Sequence, residues 1–159
     1  MNEVRNPKYI RKEYPAFIDD TDAIKYYERK FQRMKDKNSS ISFNLWGLLF
    51  GEFWLIYRKM MLLGFSLLLV HIIALCAAFY FEMEILAAVV SLVLSIGCGF
   101  FGNSLYMNYA DKCIMKASVM TYEERQAYYK DNGGSSFRIL FGAIASVIVV
   151  LFALAVSLA

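Results

Sequence analysis

Two side chains in this sequence combine reactive chemistry with an apolar setting: His71, the only histidine, and Glu52. An imidazole can pass protons, and a carboxylate can partner it or act as a base. His71 stands about midway along an apolar block at residues 60–81, and on a helix it shares a face with Gly64, Ala74 and Ala78. It should therefore point toward other helices and away from lipid, where an unpaired ring nitrogen is costly. Depth matching across an antiparallel neighbour makes His71 and Ser95 the expected polar pair, with Ser146 as the alternative. A proton relay would need a carboxylate inside the membrane, and the apolar blocks contain none. Glu52 belongs to a separate aromatic segment, where Arg58, Lys59 or water is the expected partner. No nucleophile, base and orienting group fall together, so no catalytic residue is assigned and an enzyme is not expected.

The remaining reactive groups read blandly. Cys76, Cys98 and Cys113 are odd in number and lack C-x-x-C spacing, so they read as small hydrophobes. No metal site or cofactor is expected. The run Asn132-Gly133-Gly134-Ser135-Ser136 exposes glycines before an apolar block, but it lacks the lysine and spacing of a phosphate-binding loop. It reads as a turn that stops one helix and caps the next.

The elements that must position these groups are set by composition. Hydrophobic residues make up 58% of the 159 residues, above the roughly 45–50% of a soluble domain, and they are concentrated in long blocks. Three blocks reach the roughly 20 residues needed to cross a bilayer core: residues 60–81, 85–105 and 137–159. Only Glu82-Met83-Glu84 separates the first two, which must form a tight helical hairpin. Arg58, Lys59, Lys112, Lys116, Arg125, Lys130 and Arg138 all flank the opposite ends. The positive-inside rule then places the N-terminus and the connector at residues 106–136 in the cytoplasm, and the hairpin tip and C-terminus outside. No signal peptide precedes the first span, which is expected to act as its own insertion signal. The net charge of +3, with acids interleaved among the bases, argues against nucleic acid as a partner.

The expected fold is an all-α integral membrane protein with three transmembrane helices, an aromatic interfacial or re-entrant helix and short cytoplasmic helices. Residues 1–41 form the cytoplasmic N-terminal region, and residues 42–159 the membrane domain. In the first, Ile24, Tyr27, Phe31 and Met34 recur at helical spacing among basic residues over about residues 22–37. This stripe could meet anionic lipid, a partner, or a short helix at about residues 122–131, which opens on the capping-box spacing Thr121-x-x-Glu124. Residues 43–59 are too short to span comfortably and carry Glu52 near their middle. One helix there would gather Trp46, Phe50, Phe53, Trp54 and Tyr57 on one face and end on Arg58 and Lys59. In the second span Ser91, Ser95, Gly99 and Asn103 repeat every fourth residue, a small polar stripe suited to close helix packing within the bundle or between copies.

Around this aromatic segment the chain resembles a bacterial family of small membrane proteins catalogued as domain of unknown function 2628. The resemblance rests on Phe43-Asn44 with Trp46, on Phe50-Gly51 before Phe53-Trp54, and on Tyr57-Arg58-Lys59-Met60. It resumes at Gly102-Asn103-Ser104-Leu105-Tyr106 and at Gly133-Gly134-Ser135-Ser136, so it covers roughly residues 42–140. Glu52 departs from the small residue or proline expected there, and the N-terminal helix lies outside the resemblance. The family implies an inner-membrane location and brings no activity. The function expected is a non-enzymatic scaffold, regulatory subunit or assembly partner that presents a cytoplasmic surface. The alternative is an oligomeric small channel or transporter subunit. Membrane lipids, and a protein partner or a second copy of the chain, are the expected partners.

Overall fold

The computed structural model describes residues 7–158. Residues 1–6 of the N-terminal region and Ala159, the end of the third expected span, lie outside the described residues. Eight helices make up the described chain: α1 (Pro7–Ile18), α2 (Thr21–Asp36), α3 (Leu45–Phe50), α4 (Glu52–Tyr57), α5 (Met61–Tyr80), α6 (Glu84–Ala117), α7 (Tyr122–Asn132) and α8 (Phe137–Leu158). Three helical stretches are long and apolar enough to cross a membrane: α5, α6 and the stretch containing α8. Their large apolar side chains, among them Leu62, Leu69, Ile73, Leu92, Val93, Phe141 and Ile148, point outward. Water would penalise that surface, whereas lipid accepts it.

α6 departs from expectation. The second span should end near residue 105, yet the helix runs unbroken to Ala117, 34 residues in all. At about 1.5 Å per residue it is roughly 51 Å long, well beyond a hydrocarbon core of about 30 Å. Its C-terminal third is the post around which α1, α2 and α7 pack as a polar-surfaced head. Rings fill that head: Tyr14 lies edge-on to Phe31 at 5.1 Å, Tyr27 meets Tyr106 at 4.8 Å, and Phe17 meets Tyr129 at 5.6 Å. Phe17, Phe31 and Tyr106 are fully buried, and such a side chain contributes about 1.5–3 kcal/mol through removal from water.

The stripe of α2 is therefore covered by its own chain, but not by α7. Tyr27, Phe31 and Met34 are buried against α1 and α6. Two caps fix the head's helix starts. The Asp20 carboxylate accepts from the Asp22 and Ala23 amides, and Thr121 and Glu124 form a reciprocal capping box.

The aromatic segment is not one helix. It breaks at Gly51, whose φ of 50° and ψ of −125° suit a residue without a Cβ. α3 runs along α6, and α4 returns along α5 and α8. The close approach of α3 to α6 depends on Gly47, where a Cβ would stand 2.5 Å from the Cys98 carbonyl oxygen. Side chains from both arms of this short hairpin, Asn44 and Trp54, pack against Gly102, and its tip lies beside Ser95.

Candidate functional site

The break at Gly51 decides where Glu52 goes. On a single helix it would share a face with Lys59, about two turns further on. At the tip of a hairpin it is driven inward between α5 and α6, and its side chain keeps only 5% exposure. Its Oε1 stands 2.6 Å from His71 Nδ1, and His71 Nε2 stands 2.8 Å from Ser91 Oγ. The Ser91 hydroxyl in turn donates to the Ala87 carbonyl at 2.8 Å. These contacts set the protons. Because Ser91 spends its own proton on Ala87, it accepts from Nε2–H, and the remaining shared proton lies between Nδ1 and Oε1. The pair is net neutral whether it is written as carboxylate and imidazolium or as carboxylic acid and imidazole. That is the form in which two titratable groups can be kept out of water.

Both expected polar pairings are thereby corrected. His71 is bonded to Ser91 and Glu52, with Ser95 one turn further along α6 beside Gly51, and Ser146 is exposed and donates to the Gly142 carbonyl. Depth matching failed because it counted only the spans, and the hairpin brings a carboxylate to the depth of His71. Glu52 does not meet Arg58 or Lys59, which lie at the other end of α4.

The stripe on α6 faces this hairpin segment along its length. Ser91 holds His71, Ser95 lies by Gly51, and a Cβ on Gly99 would meet the Leu48 side chain at 2.9 Å. Buried Asn103 donates through Nδ2 to the Ser42 carbonyl at 3.3 Å, the Ser42 hydroxyl at 3.1 Å and the Phe43 carbonyl at 3.2 Å. The close packing the stripe suggested is, within the chain, with α3 and the segment before it.

The aromatic residues divide into two sets. Trp46 and Phe50 stack on each other at 5.8 Å and are both more than half exposed, so they face outward from the bundle. Trp54 is buried against Gly102 and Tyr106, Phe53 is half-buried, and Tyr57 lies on Phe137 at 4.9 Å. The common aromatic face is thus corrected: the turn at Gly51 sends the two halves in opposite directions. Lys59 donates to the Lys130 carbonyl at 2.6 Å and so ties the start of α5 to the end of α7.

Arg58, expected as a flanking base at the end of the aromatic segment, is instead buried where the hairpin meets the head, with its guanidinium 4.8 Å from the Tyr27 ring, 5.5 Å from Tyr57 and 5.6 Å from Tyr106. Its Nε and Nη1 make no hydrogen bond among the described residues. Ring faces therefore carry much of the compensation for the buried charge. Burial pushes the Tyr27 hydroxyl up to about 12, with Arg58 opposing it. Tyr14 is raised still further by burial and by its hydrogen bond to the Asp111 carboxylate.

Cys98 and Cys113 are buried and free, and Cys76 is exposed and free. Among the described residues no group of three or more His, Cys, Asp and Glu side chains is arranged to hold a metal ion. Comparison with protein families matches residues 11–111 to the family described as protein of unknown function (DUF2628). The match takes in α1 from residue 11 and all of α2, so the N-terminal helices lie within the family region, while Gly133–Ser136 lies beyond it. No curated protein and no solved structure matches the chain.

Proposed function

The chain belongs to that family, and from this premise we propose that it is a non-enzymatic membrane module that holds a helical head at a fixed height and angle above a bilayer. It would serve there as a scaffold, regulatory subunit or assembly partner. The observation that carries the reading is α6, which passes unbroken from the apolar bundle into the head, so that the two cannot pivot independently. The buried polar chain supports it, since carboxylate, imidazole, hydroxyl and carbonyl close on one another and leave no group directed at a substrate.

In this reading α3 and α4 form a re-entrant hairpin, with Trp46 and Phe50 in lipid and the head in the cytoplasm of a bacterium. The excess of Lys and Arg on the head side supports an inner-membrane protein with its N-terminus inside and its C-terminus outside. Lipids surround the bundle, a protein partner or second copy meets the head, and nucleic acid has no role. The test is a photo-crosslinking residue at exposed head positions such as Arg11 or Glu28, activated in native membranes. A discrete adduct heavier than the chain is expected, and its absence from every head position would overturn the reading.

One observation favours a second reading, a channel or transporter subunit that conducts protons. Glu52 supplies His71 with the buried carboxylate that a relay requires. Proton flux into liposomes that is lost in His71→Leu would favour this reading over the first.

A further inference from the structure

A cavity lies outside the buried polar chain, where the head meets the ends of two apolar helices. Its volume is about 470 Å³, and its lining comes from three places: Asp19 and Asp20 between α1 and α2 with Asp22 in the first turn of α2, Lys59 before α5, and Lys130 in the last turn of α7 with Ser135 between α7 and α8. That volume is in the range of small-molecule sites, about 300–1,000 Å³. The walls are bolted together by backbone. The Gly134 amide donates to the Phe17 carbonyl at 2.8 Å, the Ser136 amide donates to the Tyr57 carbonyl at 2.9 Å, and the single Tyr109 hydroxyl proton is shared between the carbonyls of Lys59 and Asn132, each at 3.1 Å. Three segments distant in sequence thus converge on a preformed hollow.

Its lining carries both signs of charge. The carboxylates come from the α1–α2 turn and the first turn of α2, and the lysines from the α4–α5 junction and the last turn of α7, with the Lys59 ammonium held by the Lys130 carbonyl. The Asp20 carboxylate is engaged in capping α2, but the side chains of Asp19, Asp22 and Lys130 have no partner among the described residues. A simple anion would meet the carboxylates, and a simple cation the lysines. A molecule with both charges a few bonds apart satisfies both. Lys59 and Ser135 each stand two residues before an apolar helix begins, at Met61 and Phe137, which is the depth of lipid headgroups.

We propose that this cavity binds a phosphoethanolamine zwitterion, its phosphate toward Lys59 and Lys130 and its primary ammonium toward Asp19 and Asp22. A primary ammonium has three N–H donors for the carboxylates, whereas a trimethylated one has none. Discrimination among headgroups therefore rests on charge-assisted hydrogen bonds.

The test incubates the purified full chain in detergent with equimolar phosphatidylethanolamine, phosphatidylcholine and phosphatidylglycerol, and reads retained lipid by native mass spectrometry. Phosphatidylethanolamine should be retained about tenfold over the other two, the factor that corresponds to one charge-assisted hydrogen bond of about 1.5 kcal/mol. Asp19→Asn with Asp22→Asn should remove that preference, and Lys130→Gln should weaken retention of all three lipids. Asn tolerates the positive φ of 50° at Asp19, so the double variant is expected to fold. Glu28→Gln, on exposed α2 away from the cavity, should change nothing. Soluble O-phosphoethanolamine is added as a competitor. Displacement of lipid supports a free zwitterion as ligand, and failure to displace supports a lipid headgroup. Equal retention of phosphatidylcholine and phosphatidylethanolamine, or a preference for phosphatidylglycerol, overturns the proposal.

Discussion

Replacing Glu52 and His71 by leucine, singly and together, tests the buried polar chain directly. His71→Leu leaves a carboxylate with 5% exposure and no imidazole 2.6 Å away. Removing one partner of a buried ion pair costs about 3–5 kcal/mol. Glu52→Leu is milder, because the imidazole keeps its Nε2 bond to Ser91. One unsatisfied ring nitrogen then costs about 1–3 kcal/mol. In the double variant neither charge remains, and two leucines pack among Gly51, Ser95 and α5, so its stability should lie within about 1 kcal/mol of the parent. The cycle thus predicts a coupling of about 3 kcal/mol or more, roughly two decades in the unfolding equilibrium constant. Unfolding in mixed micelles with increasing SDS, followed by helix content, measures all four proteins. A coupling near 0.6 kcal/mol, the average for hydrogen bonds between membrane helices, would show that the pair is not ionic. Singles that add to the double within about 0.5 kcal/mol would refute the interaction itself.

Other consequences are smaller in scope. Arg58→Lys keeps the charge but loses the flat guanidinium that meets three rings, so the head should lose about 1–2 kcal/mol, read as a lower Tm. Gly47→Ala should destabilise more than Gly51→Ala. The first drives a methyl against the Cys98 carbonyl, whereas the second has open space, with Ser95 Oγ at 4.0 Å, and carries only the backbone strain of a conformation that L side chains rarely adopt, about 1–3 kcal/mol. Helix content of the two variants under the same SDS titration gives the order. Tyr27, ordinarily at 10 and pushed up to about 12 by burial, binds its proton more tightly folded than unfolded. Its stabilising contribution is complete below pH 10 and is lost as pH rises to 12. Tyrosine absorbance should show this hydroxyl ionising together with loss of head structure, and Tyr27→Phe should remove that component.

Local signals made much of the fold legible. The apolar blocks gave α5 and α8 within a residue or two over their described lengths, Thr121 and Glu124 announced the start of α7, and the Tyr27, Phe31 and Met34 stripe announced α2. α1 was missed because its Pro15 and thin apolar pattern argue against a helix, and packing of Tyr14 and Phe17 into the head overrides both. The end of α6 was misplaced because its apolar run stops near Leu105, while the helix continues on the contacts of Tyr106, Ala110 and Ile114. The candidate site was legible only as parts. Glu52 and His71 were each evident as misfits, but their meeting depends on the turn at Gly51, and a lone glycine in an aromatic run does not reveal which way the chain bends.

The length of α6 also gives it leverage. A bilayer that thins or thickens changes the tilt of the helices it contains, and a stiff rod of roughly 51 Å swings its far end by about 9 Å for a change of about 10°. Because α1, α2 and α7 are clamped to that far end, a small adjustment in the lipid is geared up into a displacement of the whole head.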